Sequence, residues 1–140
     1  MMTGGCLCGA IRYEIRGPLG RFVFCHCSRC RKASGSVVAF NAPLAAKDFV
    51  VVSGADLLKS FKSASGVNRM FCSNCGSQIA SRREQMPEVV RLRLGTLDTP
   101  PEHGPDAHIF VGSKITWFDT HDEAPRFSEA PPPEFVRPQP

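Results

Sequence analysis

Seven cysteines fall in three short clusters, and this pattern constrains the fold more than any other feature of the 140-residue chain. Each cluster holds two or three thiols within six residues, and closely spaced thiols are how a chain presents sulfur ligands to zinc. A closed structural zinc takes four ligands, so seven cysteines leave three for an open site. The pattern predicts two zinc ions, one that stabilises the fold and one with a coordination position free for chemistry.

Other interpretations of the cysteines stay open. The odd count argues against a pure disulfide framework, and no charged segment followed by an apolar stretch precedes Gly4, which favours a reducing, cytoplasmic location. There, Cys27 with Cys30 or Cys72 with Cys75 would also suit a redox pair of the thioredoxin kind. Neither pair lies between a strand and a long amphipathic helix, which favours metal binding. Inert buried thiols are the third alternative.

Length and composition favour one small domain that gains stability from a metal. No apolar run is long enough to span a bilayer, so we predict no membrane partner. The net charge of +4 is uneven: residues 1–70 hold ten Lys or Arg against three acids, and residues 71–140 hold seven against ten. The basic residues are not interleaved with exposed aromatics, so we do not expect nucleic acid as a partner.

Hydrophobic periodicity indicates short β-strands. Apolar and charged residues alternate in Ile11–Ile15 and Val90–Leu94, which places the apolar side chains of each strand on one face. Turn-forming residues separate further candidate strands at 21–24, 36–41, 49–52, 57–63, 67–71, 78–81 and 108–111. Helix is scarce: we expect one short turn after Cys30, ended by Gly35. The predicted fold class is mainly β.

The end of the chain is rich in proline. Five of the last ten residues are prolines, which predicts an extended, poorly ordered tail. We therefore divide the chain into a zinc domain at residues 1–128 and a Pro-rich C-terminal tail at residues 129–140.

Two glycines indicate which cysteines share the closed site. Gly9 follows Cys8 and Gly76 follows Cys75, and a glycine with positive φ lets amide hydrogens point at a ligated sulfur. The predicted tetrahedral site is Cys6, Cys8, Cys72 and Cys75, and the open site is Cys25, Cys27 and Cys30. A zinc ribbon of Cys27, Cys30, Cys72 and Cys75 is the rival partition, with a gap that exceeds the usual loop of roughly 15 to 20 residues.

Several segments occur together in a distinctive order. They are Gly5–Tyr13, Cys25–Gly35, Phe71–Gly76, Gly95–Asp98 and His108–Phe110, followed by Ser113, Lys114 and Trp117. Over residues 4–127 the chain resembles the glutathione-dependent formaldehyde-activating enzyme family, which includes the centromere protein V domain. The resemblance implies a zinc-stabilised β-tent fold in which the same two cysteine groups are the zinc ligands. It also implies condensation of formaldehyde with glutathione to S-(hydroxymethyl)glutathione, formally a carbon–sulfur lyase reaction.

The chemistry of the three-cysteine group can be argued from its ligands. Zinc(II) on three thiolates has a formal charge of −1, which makes it a weak Lewis acid for water and disfavours hydrolysis. A soft site of this kind suits a thiol as fourth ligand, beside a small electrophile such as an aldehyde. Three flanking basic residues would attract an anionic thiol such as glutathione, or else form a solvated turn: Arg29, Arg31 and Lys32.

Three other residues are predicted to have structural roles. His26 lies between two ligands, and in an extended segment its ring points away from the metal, which favours a structural role over proton transfer. His108 and Trp117 match the family's motifs, but we expect both to be packing residues.

These observations predict a zinc-dependent carbon–sulfur lyase that acts on adducts of glutathione, or a similar small thiol, with a small aldehyde such as formaldehyde. The catalytic residues would be Cys25, Cys27 and Cys30. Two alternatives stay open: a non-catalytic thiol carrier, and a zinc-stabilised binding module whose basic N-terminal half contacts nucleic acid.

Overall fold

The computed structural model describes all 140 residues, and its fold is mainly β, as the sequence predicts. The nine predicted strands are all present, although several bounds shift by a few residues. The additional strand, the first, has the sequence Met-Thr-Gly-Gly, which shows no alternation of apolar and polar residues. The strands are β1 (Met2–Gly5), β2 (Arg12–Ile15), β3 (Val23–Cys25), β4 (Ala39–Ala45), β5 (Phe49–Ser53), β6 (Leu58–Lys62), β7 (Val67–Cys72), β8 (Gln78–Arg83), β9 (Met86–Arg93) and β10 (Ala107–Ile109).

One α-helix, α1 (Ser28–Ser34), lies between β3 and β4. It begins within the second cysteine cluster, where the Cys27 side chain accepts a hydrogen bond from the Cys30 amide. It ends as predicted at Gly35, whose φ of +63° suits a left-handed C-terminal cap. The helix has seven residues, and no helix of the structure is both long and apolar enough to cross a membrane.

The strands form two sheets. The smaller has the order β1-β2-β5 and is antiparallel throughout. The larger has the order β10-β3-β4-β9-β8-β7-β6, and only its β10–β3 pair is parallel. Because α1 connects the neighbouring strands β3 and β4, the second cysteine cluster lies at the end of β3, towards the β10 edge of the larger sheet.

The main core lies between the two sheets. It combines Tyr13 and Ile15 of the smaller sheet with Leu44, Val90 and Leu92 of the larger one, all fully buried. Side chains alternate between faces along a strand, so the intervening residues of β4 and β9 point to the opposite face of the larger sheet. That second face carries the polar residues described below.

A second, smaller core lies on the β10–β3 side of the larger sheet. Val23, Cys25 and Ile109 pack there with Phe135, which comes from the Pro-rich segment. The expectation of a poorly ordered tail is therefore wrong at this residue, because Phe135 is buried and its ring packs against Phe127. The division of the chain at residue 128 stays a prediction, as does the cytoplasmic location.

Candidate metal centres and the adjoining cavity

The first candidate metal centre is a group of four cysteines whose sulfur atoms lie within 4.8 Å of one another: Cys6, Cys8, Cys72 and Cys75. The Sγ atoms of Cys6 and Cys8 are 3.4 Å apart, and those of Cys8 and Cys72 are 3.9 Å apart. Four sulfurs bound tetrahedrally to zinc at about 2.3 Å would lie about 3.8 Å from each other. The spacing and the all-sulfur donor set therefore fit a zinc ion.

Local backbone geometry brings these four thiols together. Gly9 and Gly76 have φ angles of +78° and +80°, which confirms the predicted glycine conformation at both turns. One turn joins β1 to β2, and the other joins β7 to β8. The Ile11 amide donates a hydrogen bond to the Cys6 sulfur at 3.2 Å. The four-cysteine group thus connects the smaller sheet to a hairpin of the larger one.

Hydrogen bonds at this group favour thiolates, which are the form that binds a metal. The hydroxyl and amide of Ser77 lower the pKa of Cys75 to about 5. The Asn74 side chain and then the Ala10 amide lower the pKa of Cys8. The Cys75 amide also acts to lower the pKa of Cys72, but burial and neighbouring thiols outweigh it and raise that pKa to about 11. Full ionisation of the group needs a cation to offset its charge.

The second candidate metal centre has three sulfur atoms within 4.8 Å of one another and no fourth cysteine, histidine or carboxylate among them: Cys25, Cys27 and Cys30. Cys25 ends β3, Cys27 caps α1, and Cys30 lies in the first turn of that helix. The Cys25 and Cys27 sulfurs are 3.5 Å apart. Three thiols so spaced fit a zinc ion with one coordination position open.

The three thiols are electrostatically unequal. Hydrogen bonds from Cys25 and Cys27, followed by the positive charges of Arg93 and Arg69, lower the pKa of Cys30 to about 2. The pKa of Cys25 is raised because its hydrogen bonds to Cys27 and Cys30 favour the protonated form and because it is buried. The positive charges of Arg93 and Arg69 thus stabilise a thiolate within the three-cysteine group.

The three-cysteine group forms part of the wall of a cavity of about 360 Å³. Polar residues at the cavity wall include serines and Asn41, while Val23, Ile109 and Phe110 supply apolar surface. No aspartate or glutamate lines the cavity. Five arginines do: Arg29, Arg69, Arg83, Arg91 and Arg93.

Strand register explains how four of these arginines share one face of the larger sheet. Arg91 of β9 pairs with Ser81 of β8, which in turn pairs with Arg69 of β7. Arg93 lies two residues from Arg91 and therefore on the same face, opposite the core. Burial, together with the charge of Arg83, lowers the pKa of Arg91 to about 10. The second face of the larger sheet is thus a basic surface next to the three-cysteine group.

Comparison with known proteins assigns the family. The sequence model described as glutathione-dependent formaldehyde-activating enzyme (GFA) matches residues 1–113. The chain belongs to the GFA family. A Halomonas elongata protein is 32% identical over 130 residues, which cover 85% of this chain and 80% of that protein, and it carries this family's name provisionally.

More distant relatives agree with this assignment. A protein of Aspergillus flavus and one of Aspergillus oryzae, both provisionally named as glutathione-dependent formaldehyde-activating enzymes, are each 27% identical over 81 residues. The match covers 56% of this chain but 42% of each Aspergillus protein. A crystal structure of a Rhodobacter sphaeroides protein superimposes with a TM-score of 0.55 over 89% of this chain and 99% of that chain, at 23% identity, which shows the shared fold.

In this GFA-family chain, the predicted basic residues occupy three different places. Arg29 lines the cavity beside the three-cysteine group. Arg31 instead donates a hydrogen bond to the Ser113 carbonyl at 2.9 Å, which ties α1 to the chain after β10. Lys32 is not among the cavity residues but lines, with Phe61, an adjoining groove that shares Arg29 and Arg69 with the cavity.

Four of the five cavity arginines are not among the site residues that the sequence predicts: Arg69, Arg83, Arg91 and Arg93. A signal for two of them was available, because Arg91 and Arg93 alternate with the apolar residues of a strand that is half-buried by pattern. From the alternation alone, such charged residues are predicted to face solvent. Only the tertiary structure shows that the face they occupy is covered.

His26 and His108 are buried and linked to each other. The ring of His26 shares a hydrogen bond of 2.9 Å with His108 Nδ1, and His108 Nε2 lies 3.0 Å from Asp122. Because the carboxylate accepts from Nε2, His108 Nδ1 is left to accept from His26 Nε2. Burial of His108 agrees with the predicted packing role, and His26 contacts this network rather than lining the cavity. Trp117 is 76% exposed, so the packing prediction is wrong for it.

Proposed function

We propose that this protein is a zinc-dependent carbon–sulfur lyase that acts on the adduct of a small thiol with a small aldehyde. Glutathione and formaldehyde are the first candidates, because the family model and the relatives bear their names. One observation carries the proposal: a group of three cysteines without a fourth ligand borders a cavity lined by five arginines. A purely structural zinc needs four protein ligands and no such cavity.

The roles of the groups at this site follow from their chemistry. Zinc on Cys25, Cys27 and Cys30 would supply a position for the sulfur of a bound thiol and favour its thiolate form. In the condensation, the thiolate sulfur bonds to the aldehyde carbon, and the carbonyl oxygen takes up the proton that the thiol released. The reverse reaction breaks the same carbon–sulfur bond.

The chain's own residues bind and orient the thiol. Guanidinium groups of the cavity would hold its carboxylates by charge-assisted hydrogen bonds, which Arg makes in a planar, bidentate geometry. The apolar side chains of Val23, Ile109 and Phe110 limit the access of water to the reacting sulfur. Arg93 lies near Cys30, and its charge offsets part of the negative charge of the sulfur ligands. The four-cysteine group, away from this cavity, would hold the structural zinc.

The proposal is tested with cobalt in place of zinc. Adding glutathione should intensify the sulfur-to-cobalt charge-transfer band, whereas S-methylglutathione, which forms no thiolate, should leave it unchanged. Equal responses to the two compounds would contradict thiol binding at the metal. The Cys27→Ser variant is the matched control, because it removes one ligand of the open site and none of the structural site.

A rate measurement separates the enzyme from a carrier. The zinc-loaded protein should accelerate formation of S-(hydroxymethyl)glutathione from formaldehyde and glutathione, measured by exchange in NMR spectra. A carrier would give the cobalt response without acceleration. A nucleic-acid-binding module has less support from the cavity arginines, because they converge on the three-cysteine group in a small-molecule-sized cavity instead of spreading along a surface with exposed aromatic residues.

A further inference from the structure

We propose that the cavity selects a thiol that carries at least two negative charges and no ammonium group close to them. This inference rests on the proposed function, because it takes the thiol sulfur to lie at the three-cysteine group. It narrows the substrate class, since glutathione carries an α-ammonium group beside one of its two carboxylates. Three observations support it: the unpaired charges of the cavity arginines, the burial of two of them, and the absence of an acidic residue from the cavity wall.

The cavity arginines lack carboxylate partners, whereas three of the seven other arginines of the chain have them. Arg12 pairs with Asp98, Arg16 with Glu14, and Arg126 with Asp119. None of the five arginines of the cavity forms an ion pair with an aspartate or a glutamate. The counter-charge at the cavity wall is the three-cysteine group, which has one net negative charge when it holds zinc. Five guanidinium charges against one leave an excess of four positive charges.

Burial of two of these guanidinium groups raises the free energy of the folded protein unless an opposite charge lies nearby. Arg93 is 6% exposed and Arg69 is 9% exposed. The Arg93 guanidinium donates to two neutral acceptors, Asn41 Oδ1 and, at 3.2 Å, Gln78 Oε1, and its Nη2 has no hydrogen-bond partner. A buried charge is normally paired with an opposite charge, because its loss of hydration is otherwise uncompensated. The Cys30 sulfur offsets part of the charge of these two arginines, and an anionic ligand would supply further pairing.

The same wall discriminates against cationic groups. A bound ammonium group would need a carboxylate or several carbonyl oxygens as acceptors, and the only polar side chains of the cavity besides arginine and cysteine belong to Ser28, Ser65, Ser81, Ser113 and Asn41. The ammonium would also be repelled by the arginines around it. A thiol with two carboxylates and no ammonium gains the attraction without this repulsion. The volume of about 360 Å³ lies within the range of small-molecule sites.

A matched pair of ligands tests the inference by isothermal titration calorimetry on the zinc-loaded protein. Glutathione is compared with deaminated glutathione, in which a γ-glutaryl group replaces the γ-glutamyl group and only the ammonium is lost. We expect the deaminated compound to bind roughly tenfold more tightly, with a steeper loss of affinity as salt is added. Equal affinity, or tighter binding of glutathione, would overturn the inference.

A second pair of ligands keeps the proposed function separate from the charge selection. Mercaptosuccinate and succinate both carry two carboxylates, and only the first has a thiol. Tighter binding of mercaptosuccinate supports sulfur binding at the metal, whatever the result with deaminated glutathione. Equal binding of the two contradicts the proposed function, whereas failure of the glutathione pair alone contradicts only the selection for ammonium-free anions.

Variants test whether the cavity arginines cause the preference for a thiol without an ammonium group. Arg91→Gln, and independently Arg29→Gln on the more exposed helix, should reduce the preference for deaminated glutathione. Arg16→Gln removes the same charge from an exposed side chain that pairs with Glu14, outside the cavity, and should leave the preference unchanged. If all three variants keep the wild-type preference, the cavity arginines do not select the ligand.

Discussion

The two cysteine groups differ in what surrounds them more than in their sulfur geometry. The four-cysteine group joins the two sheets, its hydrogen-bonding neighbours include backbone amides and Ser77, and none of its cysteines lines the cavity. The three-cysteine group lies at the end of one strand and the start of α1, beside five arginines and a cavity. Ligand number and surroundings thus separate a group suited to hold the fold from one suited to bind a reactant.

The largest expected difference between the groups is in stability. Cys6→Ser or Cys75→Ser should unfold or aggregate the protein, because the first group links the two sheets and structural zinc contributes on the order of 10 kcal/mol in small zinc domains. Cys27→Ser should stay soluble with a smaller loss of melting temperature, since its group lies within one region of the larger sheet. Thermal melting and zinc content check this. Equal solubility and melting temperature in both classes would contradict the division of roles.

The next difference concerns metal removal. The fully loaded protein should contain two zinc ions, and a chelator should first remove the ion on the three-cysteine group, because its fourth ligand exchanges with solvent and thiols. Zinc release is followed with a colorimetric chelator while circular dichroism monitors the fold. Two kinetic phases are expected, with loss of structure in the slower phase only. A stoichiometry of one, with three freely reacting thiols, would leave the fold standing but remove the proposed reactive site.

The cysteine grouping could be predicted from the sequence because its cause is local. Gly9 and Gly76 encode the turns that aim each cluster inward, and both adopt the expected positive φ. The alternating strands β2 and β9 are likewise recognisable from residue pattern alone. The strand β1 is not, since its short glycine-containing sequence is extended only through pairing with β2.

The cavity could not be predicted, because it depends on contacts between distant segments. Arg91 and Arg93 have the sequence pattern of solvent-facing residues. In the structure, α1 and Phe135, which lies near the end of the chain, form the cavity wall beside them. Net charge by halves of the chain was also misleading, since the cavity takes arginines from both halves. The prolines around Phe135 gave no signal that this aromatic ring is buried.

A smaller effect distinguishes two neighbouring arginines of α1. Arg29→Glu should weaken glutathione binding severalfold and reduce its salt dependence, because Arg29 lines the cavity. Arg31→Glu should affect binding less, because Arg31 bonds to the Ser113 carbonyl instead. Calorimetry at two salt concentrations measures both. Equal losses in the two variants would show that general charge near the helix, and not the cavity position, attracts the thiol.

The smallest expected effect concerns the hydrogen bonds that link Asp122, His108 and His26 next to the three-cysteine group. Asp122 holds His108, which bonds to His26 between two of the cysteines, so Asp122→Asn should lower stability by about 1 kcal/mol, the size of a typical hydrogen bond. Partial burial acts to raise the pKa of Asp122, but hydrogen bonds from Thr120 and His108 prevail and lower it to about 2.

The sign of the pH dependence follows from that lowered pKa. A carboxyl group with a pKa lower in the folded than in the unfolded protein contributes stability that is complete above its ordinary value near 3.8 and is lost as the pH falls towards 2. The difference in melting temperature between wild type and Asp122→Asn should therefore be constant from about pH 5 to pH 8 and shrink below about pH 4. A difference that grows as the pH falls would show that Asp122 does not support His108 as a carboxylate, and that the three-cysteine group is held by its own loop and helix alone.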